Sequence, residues 1–325
     1  MMSYCARRLL SLVPVLLAAA TLVWLLLFAL PGDPARLIAG GRALEPRVLE
    51  SIRSEWGLDA PAPVQYLHFL AKLLRGDLGT SYVQRRPVAS IVLECLPATA
   101  ILASTAILLS ALGGLLLGAI AAWHHGRTID QLVLILALIG TSTPVFWLGL
   151  MLMLLFASRL EWLPVLGYGM NGAVVSGLGI RLPEWDHLVL PAVTLSLVSL
   201  GSTARLTRTS LIEGGQADYL RTAAAKGSSA LRVFVHHALV NALIPVVTVV
   251  GLDFAAMLGS AVATEYVFAW PGLGKTIVRA IALKDLPVVE GGVLFLTVVF
   301  VLVNLAVDLL YVWLDPRIHY GTATA

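Results

Sequence analysis

Residues 95–123 read CLPATAILASTAILLSALGGLLLGAIAAW, a stretch without a single charged side chain. A helix needs about 20 apolar residues to cross the hydrocarbon core of a bilayer, because each residue advances it by about 1.5 Å. The stretch exceeds that length, and it therefore predicts a membrane-spanning helix.

Apolar runs of similar length recur along the chain and dominate it. Besides 95–123 they cover 9–30, 131–158, 187–204, 238–264 and 287–314. Only 13% of the residues are charged, whereas a soluble domain carries about 25% to cover its surface. The sequence predicts an all-α membrane protein with six transmembrane helices. The basic residues form no single run that would indicate nucleic-acid binding.

The basic residues between the runs predict the orientation of the chain. Arg7 and Arg8 precede the first run, which is too long for a signal peptide and ends in a Pro-Gly-Asp-Pro segment rather than a cleavage site. Because cytoplasmic loops carry an excess of Lys and Arg, we expect both termini in the cytoplasm, with loops 124–130 and 205–237 on the same side.

The segment 31–94 is the only long region expected outside the membrane. Pro46 suits the first turn of one short helix, and residues 63–74 form a second with one apolar side. We expect a small helical cap on the outer face. The predicted organisation is a tail and first helix (1–30), this cap (31–94), a transmembrane domain (95–314) with a long cytoplasmic loop (205–240), and a cytoplasmic tail (315–325).

The long cytoplasmic loop has its own local pattern. Gly214 and Gly215 interrupt the preceding helix, and residues 216–226 (QADYLRTAAAK) are rich in helix formers. Gly227 suits the end of this helix, and Ser228 or Ser229 can begin another. The pattern predicts a helix, a turn and a second helix. Two interpretations remain open: a solvated linker, or a rigid surface that docks into another protein.

One segment imitates a nucleotide-binding loop. Residues 269–276 read AWPGLGKT, which departs from the P-loop pattern at its first position, Ala269. A P-loop also follows a strand, whereas this segment follows an apolar run. We interpret its Pro-Gly-Leu-Gly as a turn.

Three carboxylates lie near or within the last two apolar runs, and they are expensive in lipid. Asp253, Glu290 and Asp308 therefore face protein, water or the interface, and a transport role for them stays open. Cys5 and Cys95 are expected to be free thiols, and the adjacent His236 and His237 suit an interface better than a metal. We expect no catalytic set, no metal site and no cofactor on this chain.

Several short motifs together resemble the permease subunits of bacterial ABC importers, within these the oligopeptide/dipeptide B-type permease. The matching stretches are 30–34 (LPGDP), 76–81 (GDLGTS), 143–149 (TPVFWLG), 188–192 (LVLPA), 265–268 (EYVF), 270–274 (WPGLG), Asn304, 308–311 (DLLY) and 315–317 (DPR). The loop 218–227 (DYLRTAAAKG) resembles the family's coupling motif. The general motif begins Glu-Ala-Ala, and here Arg221, Thr222 and Ala223 hold those places.

The resemblance implies a mechanism with several partners. The chain would pair with a homologous second permease, two ATPase subunits that carry ATP and Mg, and an extracytoplasmic substrate-binding protein, in the bacterial plasma membrane. A coupling helix would sit in a cleft of the ATPase. The residues that match it are Asp218, Tyr219, Arg221, Thr222, Ala223, Ala224, Ala225, Lys226 and Gly227.

The substrate stays open at this point. Permeases of this type that import oligopeptides, dipeptides, nickel or glutathione share these motifs, and peptide is the expected substrate. A rival from another class is a proton-coupled secondary transporter with Asp253 as proton carrier.

Overall fold

The computed structural model describes residues 2–28, 47, 50, 53, 59–169, 174–175, 180–215 and 218–314. Some side chains within these ranges lie outside the description, those of 2–9, 11, 26–28, 218, 219, 221, 224, 244 and 310–314. Of the helix expected near Pro46, only residues 47, 50 and 53 are described, and they are helical.

The described part of the chain is helical, apart from one very short hairpin. The helices are α1 (Met2–Phe28), α2 (Ala62–Leu74), α3 (Val88–Trp123), α4 (Thr128–Ser142), α5 (Val145–Leu152), α6 (Trp185–Gly214), α7 (Asp218–Ala225), α8 (Ala230–Val233), α9 (Val240–Val267), α10 (Leu273–Ala282) and α11 (Leu286–Leu314). Two π-helical segments extend them, Met153–Arg159 after α5 and Phe234–Leu239 between α8 and α9. The antiparallel strands are β1 (Val174–Val175) and β2 (Ile180–Arg181).

Four helices of the described residues are long and apolar enough to cross a membrane: α3, α6, α9 and α11. The pair α4–α5 makes a fifth if it is counted as one span. Residues 12–25 of α1 form a shorter apolar helix. An all-α protein with several membrane-spanning helices is therefore confirmed.

The third apolar run is not one straight helix, because α4 and α5 meet at an angle of 109°. Pro144 has no backbone N–H, and it pushes the residue before it out of the helical region. Thr143 accordingly has φ −91° and ψ 134°, and its backbone N–H still bonds to the Ile139 carbonyl.

The segment 31–94 has one confirmed helix and one shifted boundary. The predicted helix over 63–74 is present as α2. Residues 88–94, expected in the cap, instead form the first two turns of α3. Pro87 stands directly before this helix, and its carbonyl accepts the first bonds of the helix from the Ser90 and Ile91 N–H groups, so the helix begins before the charge at Glu94 rather than after it.

The chain divides into two compact units. The first contains Met1–Thr99 and Pro271–Val301, and the second Ala100–Trp270 and Leu302–Ala325. In the first unit, Ala20 and Val23 of α1 pack with Leu294 of α11 and the apolar side of α2. A second cluster joins the start of α3 to α10 and the start of α11, and its buried members are Val88, Ile91, Val92, Leu273, Ile277, Ala280 and Val288.

In the second unit α6 is the central helix. Of the most apolar 18-residue stretch of α6, 56% is buried, whereas the corresponding share is 28–33% in the other three long helices. Close approach to α3 depends on glycine: a Cβ at Gly118 would lie 2.5 Å from the Ala204 carbonyl oxygen, and one at Gly114 would lie 2.6 Å from Thr203 Cβ. The two helices therefore pack backbone to backbone, with the Thr203 and Thr207 side chains fully buried between them.

Candidate functional site

The loop that carries the family-like motif begins ten residues later than its hydropathy indicates. Residues 205–214, expected in the loop, continue α6 to Gly214. They are polar, so the apolar run stops at Ala204, but no proline or glycine interrupts them before Gly214 and the helix continues. The helix then ends as predicted, with the Gly215 N–H bonded to the Leu211 carbonyl at 2.9 Å.

The predicted helix–turn–helix of this loop is present. Helix α7 ends in a left-handed turn at Gly227, whose φ of +84° is easily reached only by glycine. The Ser228 N–H donates to the Ala223 carbonyl at 3.3 Å. Of the two hydrogen bonds that define a Schellman cap, this is the one that spans more residues. Ser229 then caps α8 by accepting a bond from the Arg232 N–H.

Leu220 attaches α7 to the body of the second unit. Its side chain is 7% exposed and packs with Leu211 of α6, with Ala238 of the second π-helical segment and with Ala242 at the start of α9. Residues from the end of α3 complete this anchor cluster, which we define as Leu211, Leu220, Ala238 and Ala242 with Ala119, Ala122, Val233, Phe234 and Leu239. Trp123 and Phe234 meet edge to face beside it, with centroids 5.0 Å apart.

The other side of α7 is open to solvent. Thr222 and Ala225 lie about 200° and 140° around the helix from Leu220, since each residue turns it by about 100°. Both are exposed, as are Lys226 and Gly227, and Ala223 is half-buried. Asp218, Tyr219, Arg221 and Ala224 are part of the helix, and their side chains lie outside the described part of the chain. The loop thus combines one buried anchor with an exposed small-residue surface.

A buried ion pair fixes the connection between α3 and α4 to α6. Asp130 is 2% exposed and accepts two bonds from the Arg208 guanidinium, 2.5 Å from Nε and 2.7 Å from Nη2. The Gly126 N–H donates to the same carboxylate at 2.9 Å, and His125 Nδ1 lies 3.3 Å from it. Sequence reasoning counted Arg208 only as a positive charge of the loop, because nothing local indicates a partner 78 residues away.

The three carboxylates of the apolar runs are not brought together as a set. Asp253 on α9 accepts a hydrogen bond from the Ser199 hydroxyl on α6, so this polar pair is satisfied within the second unit. Glu290 and Asp308 are half-buried, eighteen positions apart on α11.

The segment that imitates a P-loop has a different structure. It follows helix α9, and Gly272 caps α10 with extended backbone. Lys275 and Thr276 lie in the first turns of α10, where the Thr276 hydroxyl bonds to the Gly272 carbonyl at 2.9 Å. The turn over 268–272 therefore joins two helices, as the sequence predicts.

Asp285 is a structural residue that the sequence analysis missed. It is 2% exposed, and its carboxylate accepts bonds from the Ser81 hydroxyl and from the backbone N–H groups of Tyr82 (2.9 Å) and Val83 (3.4 Å). Burial, with the charges of Glu290 and Asp285, raises the pKa of the Tyr82 phenol well above its usual value. From sequence, an aspartate directly before a helix would be read only as an N-cap.

One local group has ligand types that bind metals. The side chains of Glu184, Asp186 and His187 place one donor atom each within 4.8 Å of one another at the start of α6. Their spacing of two and three residues is a signal that sequence reasoning did not consider. Asp186 also bonds to the His187 backbone N–H at 2.9 Å, and such local groups are common without a metal.

Comparison with known proteins bears on the whole chain. Residues 114–320 match the family described as "Binding-protein-dependent transport system inner membrane component". Residues 1–103 match the family of N-terminal segments of the same transport-system membrane components.

Similar proteins extend over almost the full length. A "Glutathione transport system permease protein GsiC" from Salmonella typhimurium is 41% identical over 320 residues, covering 98% of this chain and 100% of the relative. A "Dipeptide transport system permease protein DppB" from Alkalihalophilus pseudofirmus is 39% identical over 334 residues, with the same coverage. A "Probable peptide ABC transporter permease protein y4tP" from Sinorhizobium fredii is 41% identical over 318 residues, covering 98% of this chain and 99% of the relative.

Among solved structures, a crystal structure of "an amino acid ABC transporter with histidines" is similar with a TM-score of 0.47 at 14% identity, covering 71% of this chain and 95% of that one. The two family matches and the full-length relatives decide the assignment. They are transport components of systems that work with a separate binding protein, and several apolar helices agree with an inner-membrane location. The chain belongs to the binding-protein-dependent transport system inner membrane components and is a membrane permease subunit of an ABC importer of the peptide type.

Proposed function

We propose that this permease imports short peptides into the cytoplasm and is driven through helix α7 by separate ATPase subunits. The observation that carries the proposal is the two-sided character of α7, buried at Leu220 and exposed at Thr222, Ala225 and Lys226. A helix with one side fixed to its own chain and the other open is suited to transmit a movement from a partner.

The coupling surface consists of Asp218, Tyr219, Arg221, Thr222, Ala223, Ala224, Ala225, Lys226 and Gly227. Its small exposed side chains let the backbone of a partner come close. The glycine turn at Gly227 sets the direction in which the chain returns to the membrane. Because an isolated helix of eight residues is marginal in water, its rigidity depends on the anchor cluster.

Six crossings account for the topology we propose. They are α1, α3, the bent pair α4–α5, α6, α9 and α11. The basic residues of the segment 205–240 favour a cytoplasmic position for it, together with both termini: Arg205, Arg208, Arg221, Lys226 and Arg232 outnumber Glu213 and Asp218. The segment 31–94, including α2, then lies outside and is placed to receive the binding protein.

The working complex contains a homologous second permease, two ATPases and an extracytoplasmic binding protein. ATP and Mg belong to the ATPases, and no cofactor is assigned to this chain. ATP-driven closure of the ATPases moves the coupling helices, and the membrane helices switch between inward-open and outward-open arrangements.

Short peptides are the proposed cargo because the relatives are named for glutathione, for dipeptide and for peptide transport. Glutathione is itself a modified tripeptide, so one class of ligand covers these names. Nickel is the second candidate, and it rests only on the motifs that nickel permeases share.

The test is uptake by the assembled complex in proteoliposomes. ATP is supplied on the side of the membrane that carries the ATPases, and the binding protein is supplied on the opposite side. We expect ATP-dependent uptake of a radiolabelled dipeptide and of glutathione, and none of nickel ions. Uptake that proceeds without the ATPases and collapses with the proton gradient would instead support a proton-coupled transporter. In that case Asp253→Asn should abolish uptake, whereas we expect it to reduce only the stability of the α6–α9 contact.

A further inference from the structure

A cavity of about 410 Å³ lies wholly within the first unit, between the start of α3, helix α10 and the start of α11. Its volume falls in the range of small-molecule sites, about 300–1,000 Å³. Three kinds of residue line it: apolar side chains, polar groups that include Cys95 and Thr276, and four charged residues.

Two of the charged residues are cations on one face of α10. Lys275 and Arg279 are four positions apart, so their Cβ atoms are about 5–6 Å from each other. Three apolar side chains that line the same cavity, Ile91, Ala280 and Val288, are at least 95% buried in the core cluster. The lining therefore combines positive charge with an apolar part, which we call the apolar base.

The two carboxylates of the cavity are already engaged. Glu94 is ion-paired with Arg86, and Asp285 is held by the Ser81 hydroxyl and two backbone N–H groups. The Arg279 side chain is exposed, and among the described residues its guanidinium makes no hydrogen bond or ion pair. The cavity thus has a guanidinium available for an anion that the described part of the chain does not supply.

We propose that this cavity binds the free carboxylate of a short peptide, with Arg279 and Lys275 as the charged partners and the apolar base holding a side chain. A guanidinium and a carboxylate form two parallel hydrogen bonds, which suits recognition of a peptide C-terminus. The inference rests on the proposed function, since it assigns a site to the proposed cargo.

The same arrangement disfavours a metal cation as the ligand. A divalent ion prefers carboxylate, imidazole or thiolate ligands, and here both carboxylates are occupied while two cations stand beside the space. The positive charge of the cavity therefore favours a peptide carboxylate over a nickel ion as its ligand.

Cys95 provides a direct readout, because it lies in the cavity wall with its Sγ 3.2 Å from the Thr276 hydroxyl. In the assembled complex without binding protein, and with Cys5→Ser to leave one thiol on this chain, we would measure the rate of Cys95 alkylation by a maleimide. The probes are the dipeptide Ala-Phe and its C-terminal amide. We expect the free acid to slow alkylation severalfold and the amide to leave it unchanged.

Arg279→Gln should abolish this protection, whereas Lys284→Gln, an exposed cation that does not line the cavity, should retain it. As a second measurement, the ratio of uptake for the acid and the amide should fall about tenfold in Arg279→Gln, as expected for the loss of a charge-assisted hydrogen bond. The binding protein is the same in both complexes, so its own preference cancels in this comparison.

Equal protection by acid and amide, protection that survives Arg279→Gln, or an unchanged uptake ratio would each overturn the assignment. So would an Arg279→Gln complex that binds its binding protein more weakly and transports both peptides equally poorly, because the surface would then be a docking site. If any of these results is obtained while the complex still imports peptides with ATP, only the assignment of the cavity is rejected, and the proposed function is retained. Absence of such uptake from the unmodified complex would reject the proposed function instead.

Discussion

The carboxylate of Asp285 accepts a hydrogen bond from the Ser81 hydroxyl, although 204 positions separate the two residues in the chain. The same carboxylate binds the backbone of Tyr82 and Val83. It thereby fastens the turn before α3 to the start of α11, beside the proposed peptide cavity.

Replacing Asp285 by alanine should lower the thermal unfolding midpoint of the purified complex. It leaves three donors without an acceptor, and of these the Ser81 hydroxyl is fully buried, where an unsatisfied group costs about 1–3 kcal/mol. Ser81→Ala is the matched control, and we expect a smaller loss because the two backbone bonds to Asp285 remain. Asp285→Asn, which keeps one acceptor oxygen, should fall between them. Equal midpoints for Asp285→Ala and Ser81→Ala would contradict the role assigned to the carboxylate.

The Asp130–Arg208 pair should behave as a coupled unit. Removing Arg208 leaves the buried Asp130 carboxylate without its cation, a loss of up to about 3–5 kcal/mol, whereas removing Asp130 leaves a half-buried Arg208 that still reaches water. We therefore expect Arg208→Ala to destabilise more than Asp130→Ala, and the double variant to lose less than the sum of the two. The measurement is a double-mutant cycle on the unfolding free energy in detergent, and strict additivity would argue against the pair.

Gly118→Ala should loosen the contact between α3 and α6. The added methyl group would lie 2.5 Å from the Ala204 carbonyl oxygen, a backbone atom held by its own helix. Overpacking of this kind costs about 1–3 kcal/mol. Gly259→Ala is the matched control, because Gly259 is also in a helix and a Cβ there meets nothing within 4 Å. A drop in the unfolding midpoint for Gly118→Ala alone is the expected result.

Leu220→Ala should uncouple ATP hydrolysis from transport. Truncating a buried leucine removes about 2–5 kcal/mol of packing, which is more than a short helix can lose and stay docked. We expect the number of peptides imported per ATP hydrolysed to fall at least about tenfold, since 1.4 kcal/mol already corresponds to that factor.

Leu220→Met keeps the apolar volume and should restore the ratio of transport to hydrolysis. The same membranes should be checked for co-purification of the ATPases, which separates loss of coupling from loss of assembly. A Leu220→Ala complex that assembles and transports with the normal ratio would show that α7 is not held in place through this residue.

Features that depend on neighbouring residues were predictable. The left-handed turn at Gly227 was predicted, because glycine acts on the local backbone directly. The break at Pro144 was not predicted, because residues 131–158 form one apolar run, although proline also acts locally. The bend of 109° was not predicted, since hydropathy alone does not distinguish a straight span from a broken one. The extension of α6 to Gly214 was missed for the same reason: polar residues continue a helix without contributing to an apolar run.

The candidate site was predicted in its position but not in its attachment. The motif at 218–227 located α7, and the resemblance supplied its proposed role. Leu220 was not singled out, because a leucine among helix formers gives no indication of which distant helices cover it. Its burial results from α6 and α9 meeting beneath the loop.

The amino-acid sequence by itself determined the membrane environment, the order of the helices and the glycine turn that ends α7, because apolar length and glycine act locally along the chain. Only the tertiary structure decided which polar groups satisfy one another: Ser81 with Asp285, Asp130 with Arg208, and Ser199 with Asp253. A buried polar group requires a partner, but several candidates of suitable chemistry exist along the chain. Packing selects among them, because it alone brings two distant positions within hydrogen-bonding distance.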